Sequence, residues 1–102
     1  MSVLAELYAT IVARKGEDAD ASYTASLLGK GPAKCAEKFG EEAVETIIAA
    51  AQADRGNLTY EAADTVYHLM VVLASLDVDW ADVEAELARR SGTSGHEEKA
   101  SR

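Results

Sequence analysis

Two short acidic motifs carry the residues best suited to chemistry. Glu41, Glu42 and Glu45 form an E-E-x-x-E pattern, and Glu61 and Asp64 form an E-x-x-D pattern. At about 100° per residue of an α-helix, the first motif falls within about a 100° arc and the second within about 60°. Carboxylates brought together repel one another unless cations neutralise them, and Mg²⁺ binds such oxygens while often bridging substrate phosphates. The motifs therefore indicate metal-assisted attack of water on a phosphoryl group.

A simpler interpretation of the same residues stays open, because charged side chains on amphipathic helices usually form a solvated face. Asp64 is the hardest to explain in that way, since Asp is a poor helix former and this one precedes an apolar run. His68 continues the second acidic row, but a lone histidine there is more often a hydrogen-bonded core residue than a ligand. Cys35 lies on an apolar helical face without a paired base, which is typical of a core residue.

Helices must position the acidic motifs, because apolar side chains recur at helical spacing along most of the chain and no convincing strand is present. The predicted helices span, in order, residues 2–15, 22–28, 32–53, 58–76 and 80–90. Pro32 suits the first turn of the third helix, and Asn57 or Thr59 is the expected cap of the fourth. A short turn near 56–58 would make the two long helices antiparallel, so that their acidic rows face each other.

Length and composition exclude several classes of protein. The chain has 102 residues, which favours one domain, and its single Cys excludes an internal disulfide framework or a Cys-rich zinc site. The formal net charge of −8 argues against a nucleic-acid partner held by bulk electrostatics. The most apolar run, residues 66–76, is too short to span a membrane, and no basic stretch followed by an apolar one opens the sequence. We therefore expect a cytoplasmic protein.

The fold class that these patterns predict is all-α. Residues 1–90 are expected to form one small bundle of four to five helices, followed by a polar, flexible tail over residues 91–102. The run at 66–76 is apolar nearly all round its helix, which indicates burial on several faces. A chain of this length covers a modest fraction of its own surface, so a second copy is expected to complete the bundle as a homodimer.

The acidic motifs and their surroundings resemble those of the phosphoribosyl-ATP pyrophosphatase family, within the MazG-like all-α pyrophosphatases. The matching segments are SYTASLL at 22–28, KFGEEAVE at 38–45, EAADTVYHL at 61–69 and GHEEKASR at 95–102. The resemblance covers almost the whole chain. It implies a homodimeric helical bundle, an Mg²⁺ cofactor, and hydrolysis of phosphoribosyl-ATP to phosphoribosyl-AMP and pyrophosphate, the second step of L-histidine biosynthesis.

The resemblance also implies residue roles by position. The carboxylates expected to bind metal or act in catalysis are Glu41, Glu42, Glu45, Glu61 and Asp64. The substrate is polyanionic, so cations must meet it: Lys38 borders the acidic row, while Lys30 and Lys34 lie near a helix start whose dipole also favours phosphate. Lys99 and Arg102 match the closing motif and could fold over the ligand. The alternative for each of these cations is a solvated surface group.

Two other functions stay open on the sequence alone. A related all-α pyrophosphatase acting on ordinary or damaged nucleoside triphosphates would use the same carboxylates, although the segments at 22–28 and 95–102 argue against it. A non-catalytic acidic dimerisation module, binding partner helices or buffering Mg²⁺, explains the charge and the apolar helix but leaves the positions of the acidic pairs unexplained.

Overall fold

Six helices account for most of the residues that the structure, a computed structural model, describes, namely 2–92 and 94–102. They are α1 Val3–Ala13, α2 Tyr23–Gly29, α3 Pro32–Ala51, α4 Arg55–Ser75, α5 Trp80–Arg89 and α6 Gly95–Ser101. No strand occurs within this described part of the chain. The all-α prediction is therefore confirmed, with one helix more than expected. None of the helices described is both long and apolar enough to cross a membrane.

Local capping sets where the helices begin. Ser2 and Asp54 have extended backbone, and each side chain accepts a hydrogen bond from the backbone N–H three residues further on, as N-cap residues do. In α4 this donor is the N–H of Asn57, at 3.2 Å from the Asp54 carboxylate. The helix therefore begins at Arg55, and the prediction that it begins after Asn57 or Thr59 was wrong.

The C-terminal segment contains a helix where the sequence led us to expect a flexible tail. The Ser94 hydroxyl accepts a hydrogen bond from the N–H of Glu97 at 3.0 Å, and α6 follows directly. Ser94 and Glu97 have the S-x-x-E spacing of a capping box. That spacing is a sequence signal for the start of a helix, but the polar composition of the segment led us to predict a flexible tail.

α3 and α4 form an antiparallel hairpin with the most extensive contact between helices in the fold. Residues 52–54 join them, and Ala53 adopts a left-handed conformation with φ 54°, which stops α3 from continuing. The predicted antiparallel arrangement of the two acidic helices is confirmed. This hairpin is the element that brings the two motifs together.

The core is built around α4, which contacts α1, α2 and α3. The largest fully buried side chains are Ile11, Cys35, Met70 and Val71. Burial raises the pKa of the Cys35 thiol, and its Sγ lies 3.2 Å from the carbonyl oxygen of Leu27. The burial of Cys35 thus confirms the prediction that it is a core residue. A buried thiol of raised pKa is also a poor nucleophile.

The chain's own helices cover much of the apolar run at 66–76. Met70 and Val71 in its middle are completely buried, whereas Leu76 at its end is 58% exposed. Apolar side chains on α3 are more exposed than those in the middle of the run, with Val44 at 53% and Ile47 at 65%. Any partner therefore has more apolar surface to cover on α3 than in the middle of α4.

Candidate metal centre and adjoining cavity

Three carboxylates converge between the two helices of the hairpin. Glu42 and Glu45 project from α3 and Glu61 projects from α4, and one oxygen of each lies within 4.8 Å of the others. The spacing of three residues between Glu42 and Glu45 places both on one side of α3. The antiparallel pairing of the helices then brings Glu61 to the same level.

Burial and mutual repulsion perturb this carboxylate cluster of Glu42, Glu45 and Glu61. Glu42 and Glu61 are each only 9% exposed. Burial, followed by hydrogen bonding to Glu45 and the charge of Glu45, raises the pKa of Glu61 to about 7. Burial and the charge of Glu45 also raise the pKa of Glu42. Without cations, the cluster therefore favours holding a proton near neutral pH.

One oxygen in the cluster has no hydrogen-bond donor. Oε2 of Glu61 is buried, and no described residue donates to it. A buried carboxylate oxygen without a partner is costly, and a divalent cation coordinated by oxygen ligands satisfies both the oxygen and the charge. The donor set therefore fits a hard cation such as Mg²⁺.

The remaining predicted ligands, Glu41 and Asp64, lie beside the cluster of three rather than within it. Asp64 is half-buried one turn after Glu61, and its charge contributes to the raised pKa values of Glu42 and Glu61. Glu41 is exposed and accepts a hydrogen bond from Nζ of Lys38 at 3.1 Å. All five carboxylates thus occupy one region, with three at its centre.

A cavity of about 390 Å³ adjoins the cluster on the side of Glu41. Its lining comes from α2, the connection after it and the first half of α3: Tyr23, Leu27, Lys30, Lys34, Glu37, Lys38 and Glu41. Three predicted substrate-binding lysines therefore line one cavity. Nζ of Lys38 also lies 3.9 Å from Oε1 of Glu42, so Lys38 connects the cavity to the cluster.

His68 is buried behind this region, at 5% exposure. Its ring makes edge contacts with the rings of Tyr67 and Tyr23, at centroid distances of 4.9 and 6.3 Å. Burial, then the charge of Lys38, lowers the pKa of His68, which favours the neutral ring. Nδ1 has no hydrogen-bond partner among the described residues. His68 thus lies in the core and outside the group of three that could hold a metal.

The two predicted cations of the C-terminal segment lie apart from these features. Lys99 is exposed in the last turn of α6 and Arg102 is exposed just after it. Neither belongs to the described residues that line the cavity. Their role toward the substrate stays a prediction. Conversely, Tyr23 lines the cavity, although it was not among the predicted substrate-binding residues.

An all-α fold with a carboxylate cluster beside a lysine-lined cavity is the arrangement expected of an all-α pyrophosphatase. The family model described as phosphoribosyl-ATP pyrophosphohydrolase matches residues 4–91. The chain belongs to the phosphoribosyl-ATP pyrophosphohydrolase family. The resemblance identified from the motifs is confirmed.

Relatives resemble the chain over its whole length. A phosphoribosyl-ATP pyrophosphatase of Dinoroseobacter shibae is 68% identical over 102 residues, which is all of both chains. One of Cereibacter sphaeroides is 64% identical over all of this chain and 99% of its own. A third, of Paracoccus denitrificans, is 65% identical over 97% of this chain and 92% of its own. The similarity therefore includes both acidic motifs and the C-terminal segment.

Proposed function

We propose that this protein hydrolyses phosphoribosyl-ATP to phosphoribosyl-AMP and pyrophosphate, the second step of L-histidine biosynthesis. The observation that carries the proposal is the carboxylate cluster adjoining a lysine-lined cavity, in a chain 68% identical along its full length to a protein named for this activity. Cleavage of a phosphoric anhydride needs an activated water and charge stabilisation on the phosphates. The cluster and the cavity supply groups suited to each.

The carboxylates are the proposed metal ligands. Glu42, Glu45 and Glu61 would hold Mg²⁺, and Glu41 and Asp64 would supply further carboxylates beside it. When bound, Mg²⁺ supplies positive charge to the phosphates and lowers the pKa of water in the site. The buried oxygen of Glu61 that lacks a donor supports this assignment.

The lysines are the proposed phosphate-binding groups. Lys30 and Lys34 line the cavity near the start of α3, where free backbone N–H groups and the helix dipole also favour anions. Lys38 stands between cavity and cluster and would contact the phosphates nearest the reacting bond. Lys99 and Arg102 would add contacts by folding over the bound nucleotide.

We also propose that the protein acts as a homodimer. Val44, Ile47 and Ile48 are exposed by 49–65% along one side of α3. Contiguous exposed apolar surface marks an interaction surface, and a second copy of the helix would cover it symmetrically. Static light scattering of the wild-type protein measures this directly.

We place the enzyme in the cytoplasm, where polyanionic nucleotides are retained by the membrane.

The test of the activity is pyrophosphate release from phosphoribosyl-ATP, measured with and without Mg²⁺. ATP and the other common nucleoside triphosphates serve as parallel substrates. We expect Mg²⁺-dependent release from phosphoribosyl-ATP and at least about a hundredfold lower kcat/KM for ATP. The phosphoribosyl group supplies the additional contacts, and a hundredfold ratio corresponds to about 2.7 kcal/mol of differential transition-state binding.

Other outcomes separate the alternatives. Preferred turnover of common triphosphates would retain the metal site but assign a broader pyrophosphatase activity. Absence of release from every substrate by folded, dimeric protein would favour a non-catalytic acidic module. Release that persists in EDTA would contradict the Mg²⁺ part of the proposal alone.

A further inference from the structure

Two threonine hydroxyls meet between α3 and α4 at the level of the carboxylate cluster. Oγ1 of Thr46 lies 2.7 Å from Oγ1 of Thr65. Thr46 is also 3.1 Å from the carbonyl oxygen of Glu61, and Thr65 is 3.1 Å from the carbonyl oxygen of Glu42. Each hydroxyl on one helix thus reaches the backbone of a cluster residue on the other helix.

Counting protons shows that this contact joins the helices in every arrangement. Each hydroxyl has one proton to donate. Among the described residues, the acceptors within reach of the Thr65 hydroxyl are the carbonyl of Glu42 and the hydroxyl of Thr46, and both lie on α3. The proton of Thr65 therefore bonds to the other helix whichever acceptor Thr46 uses. For Thr46 these acceptors are the hydroxyl of Thr65, the carbonyl of Glu61 and, on its own helix, the carbonyl of Glu42 at 3.0 Å.

We propose that Thr46 and Thr65 are positioning residues that set the register of α3 against α4 so that Glu42, Glu45 and Glu61 converge on one cation. This inference rests on the proposed metal site. Thr46 directly follows Glu45, and the carbonyl groups it bridges belong to the other two cluster residues. A shift or roll of either helix therefore changes the distances between the carboxylates and, at the same time, breaks the contact between the two hydroxyls.

The physical need for such a pair comes from charge. Like-charged carboxylates push the two helices apart, and apolar contacts alone are non-directional. Mg²⁺ requires near-ideal octahedral geometry with oxygens at about 2.0–2.1 Å, so small errors in register weaken its binding. Directional hydrogen bonds between α3 and α4 at the level of the carboxylate cluster oppose the separation of the helices at the place where the carboxylates must converge.

The experiment replaces the hydroxyls with methyl groups of the same shape. Thr46→Val, Thr65→Val and the double variant are compared with Thr46→Ser, which keeps the hydroxyl. Thr59→Val is the matched control, because Thr59 is exposed on α4 and donates to the carbonyl of Arg55 on its own helix, at 3.0 Å. Mn²⁺ is the probe, and its dissociation constant is measured from the electron paramagnetic resonance signal of the free ion, alongside thermal unfolding.

We expect Thr46→Val to weaken Mn²⁺ binding about tenfold, within the range known for groups that orient metal ligands. Thr46→Ser should remain within about threefold of the wild type, and Thr59→Val should match it. The double variant should be no weaker than about the worse single variant, because the two hydroxyls act as one unit. If Thr46→Val fails to fold, Thr65→Val tests the same contact.

Folded valine variants that bind Mn²⁺ as tightly as the wild type overturn the positioning role. An equal loss in Thr59→Val also overturns it, because the effect would then not depend on the contact between helices. A wild-type protein that binds no Mn²⁺ overturns the metal site itself, and that result is recognisable before any variant is made.

Discussion

The carboxylate cluster and the packing of α1 on α4 contain opposite chemistry. Glu42 and Glu61 of the cluster are buried, whereas Glu45 is exposed. Ile11 and Met70 fill the second region with apolar side chains. At the exposed edge of that region, Lys15 donates a hydrogen bond to the carbonyl of Ala74 at 2.9 Å and forms an ion pair with Asp77. In the cluster, Glu42 and Glu61 face another carboxylate, and an oxygen of Glu61 has no donor within the described part of the chain.

The difference shows that the stability of this small fold and its proposed chemistry depend on different regions. The apolar packing stabilises the chain, whereas the cluster holds like charges together at a cost to stability. Sites arranged for function often carry such a cost. Substitutions in the two regions should therefore have opposite profiles: loss of turnover with the fold retained at the cluster, and loss of stability at the α1 contact.

The largest effect is expected from removing a cluster charge. Glu45→Gln keeps the size of the side chain but removes a proposed metal ligand, and Asp64→Asn removes the neighbouring charge. Each should lower kcat/KM by about a thousandfold, since several kcal/mol of charge stabilisation are lost. Steady-state pyrophosphate release measures the loss, and light scattering checks that the oligomeric state is unchanged.

Glu6→Gln is the control for these two variants, because Glu6 is exposed on α1 and the net charge changes equally. It should keep wild-type kinetics. Rates near the wild type for both Glu45→Gln and Asp64→Asn would refute the metal-site assignment.

The next effect concerns stability. Ile11 is 1% exposed where α1 packs on the core, so Ile11→Ala should lower the free energy of unfolding by about 2–5 kcal/mol through lost burial and the cavity left behind. Urea denaturation followed by circular dichroism measures it. The folded variant should bind Mn²⁺ as the wild type does, and a matching loss of Mn²⁺ affinity would show that the two regions are coupled.

A smaller effect is expected at the cavity. Lys30→Gln and Lys34→Gln should each raise KM for phosphoribosyl-ATP about fivefold, since an exposed charged contact contributes about 1 kcal/mol. Lys15→Gln is the contrasting variant: it should lower the unfolding temperature and leave KM unchanged. If Lys15→Gln raises KM as much as the cavity variants do, the cavity is not a specific phosphate site.

The last prediction concerns pH, in metal-free protein. The pKa of Glu61 is raised from its ordinary 4.5 to about 7. Between these two pH values, the folded state therefore keeps a proton that the unfolded state has lost. This contribution to stability is fully present below about pH 4.5 and is lost as pH rises through about 7. The unfolding temperature in EDTA should therefore fall over this interval.

Glu61→Gln removes this titrating group from the cluster. The gap in unfolding temperature between Glu61→Gln and the wild type should shift in favour of the variant from about pH 5 to about pH 8, and Mg²⁺ should stabilise only the wild type. A gap that is constant with pH would show that Glu61 ionises normally in the folded protein.

Much of the secondary structure could be predicted from the sequence because its causes are local. The periodicity of apolar residues predicted the first five helical segments, and Pro32 marked the start of α3 correctly. The predicted start of α4 was wrong because several residues nearby can act as N-caps. Asn57 and Thr59 were the predicted caps, but Asp54 is the residue that bonds to the helix start. The capping pair Ser94 and Glu97 was overlooked because the segment is polar.

The candidate site was predictable as a set of residues but not as an arrangement. Spacing placed Glu41, Glu42 and Glu45 on one face of one helix, and the structure separates them, with Glu41 on the cavity side and the other two in the cluster. The threonine contact had no sequence signal, because Thr46 and Thr65 lie on different helices and each is unremarkable within its own.

From the sequence alone it follows that this protein is helical, that its two acidic motifs lie on consecutive helices, and to which family it belongs. Helix periodicity and motif spacing depend on neighbours along the chain, so they can be read from it. The three-dimensional fold was needed to show which carboxylates share an ion-sized space, which lysines line the cavity and which hydroxyls join the helices. Those distances depend on the register and roll of α3 against α4, and these are set by the packing of the whole bundle.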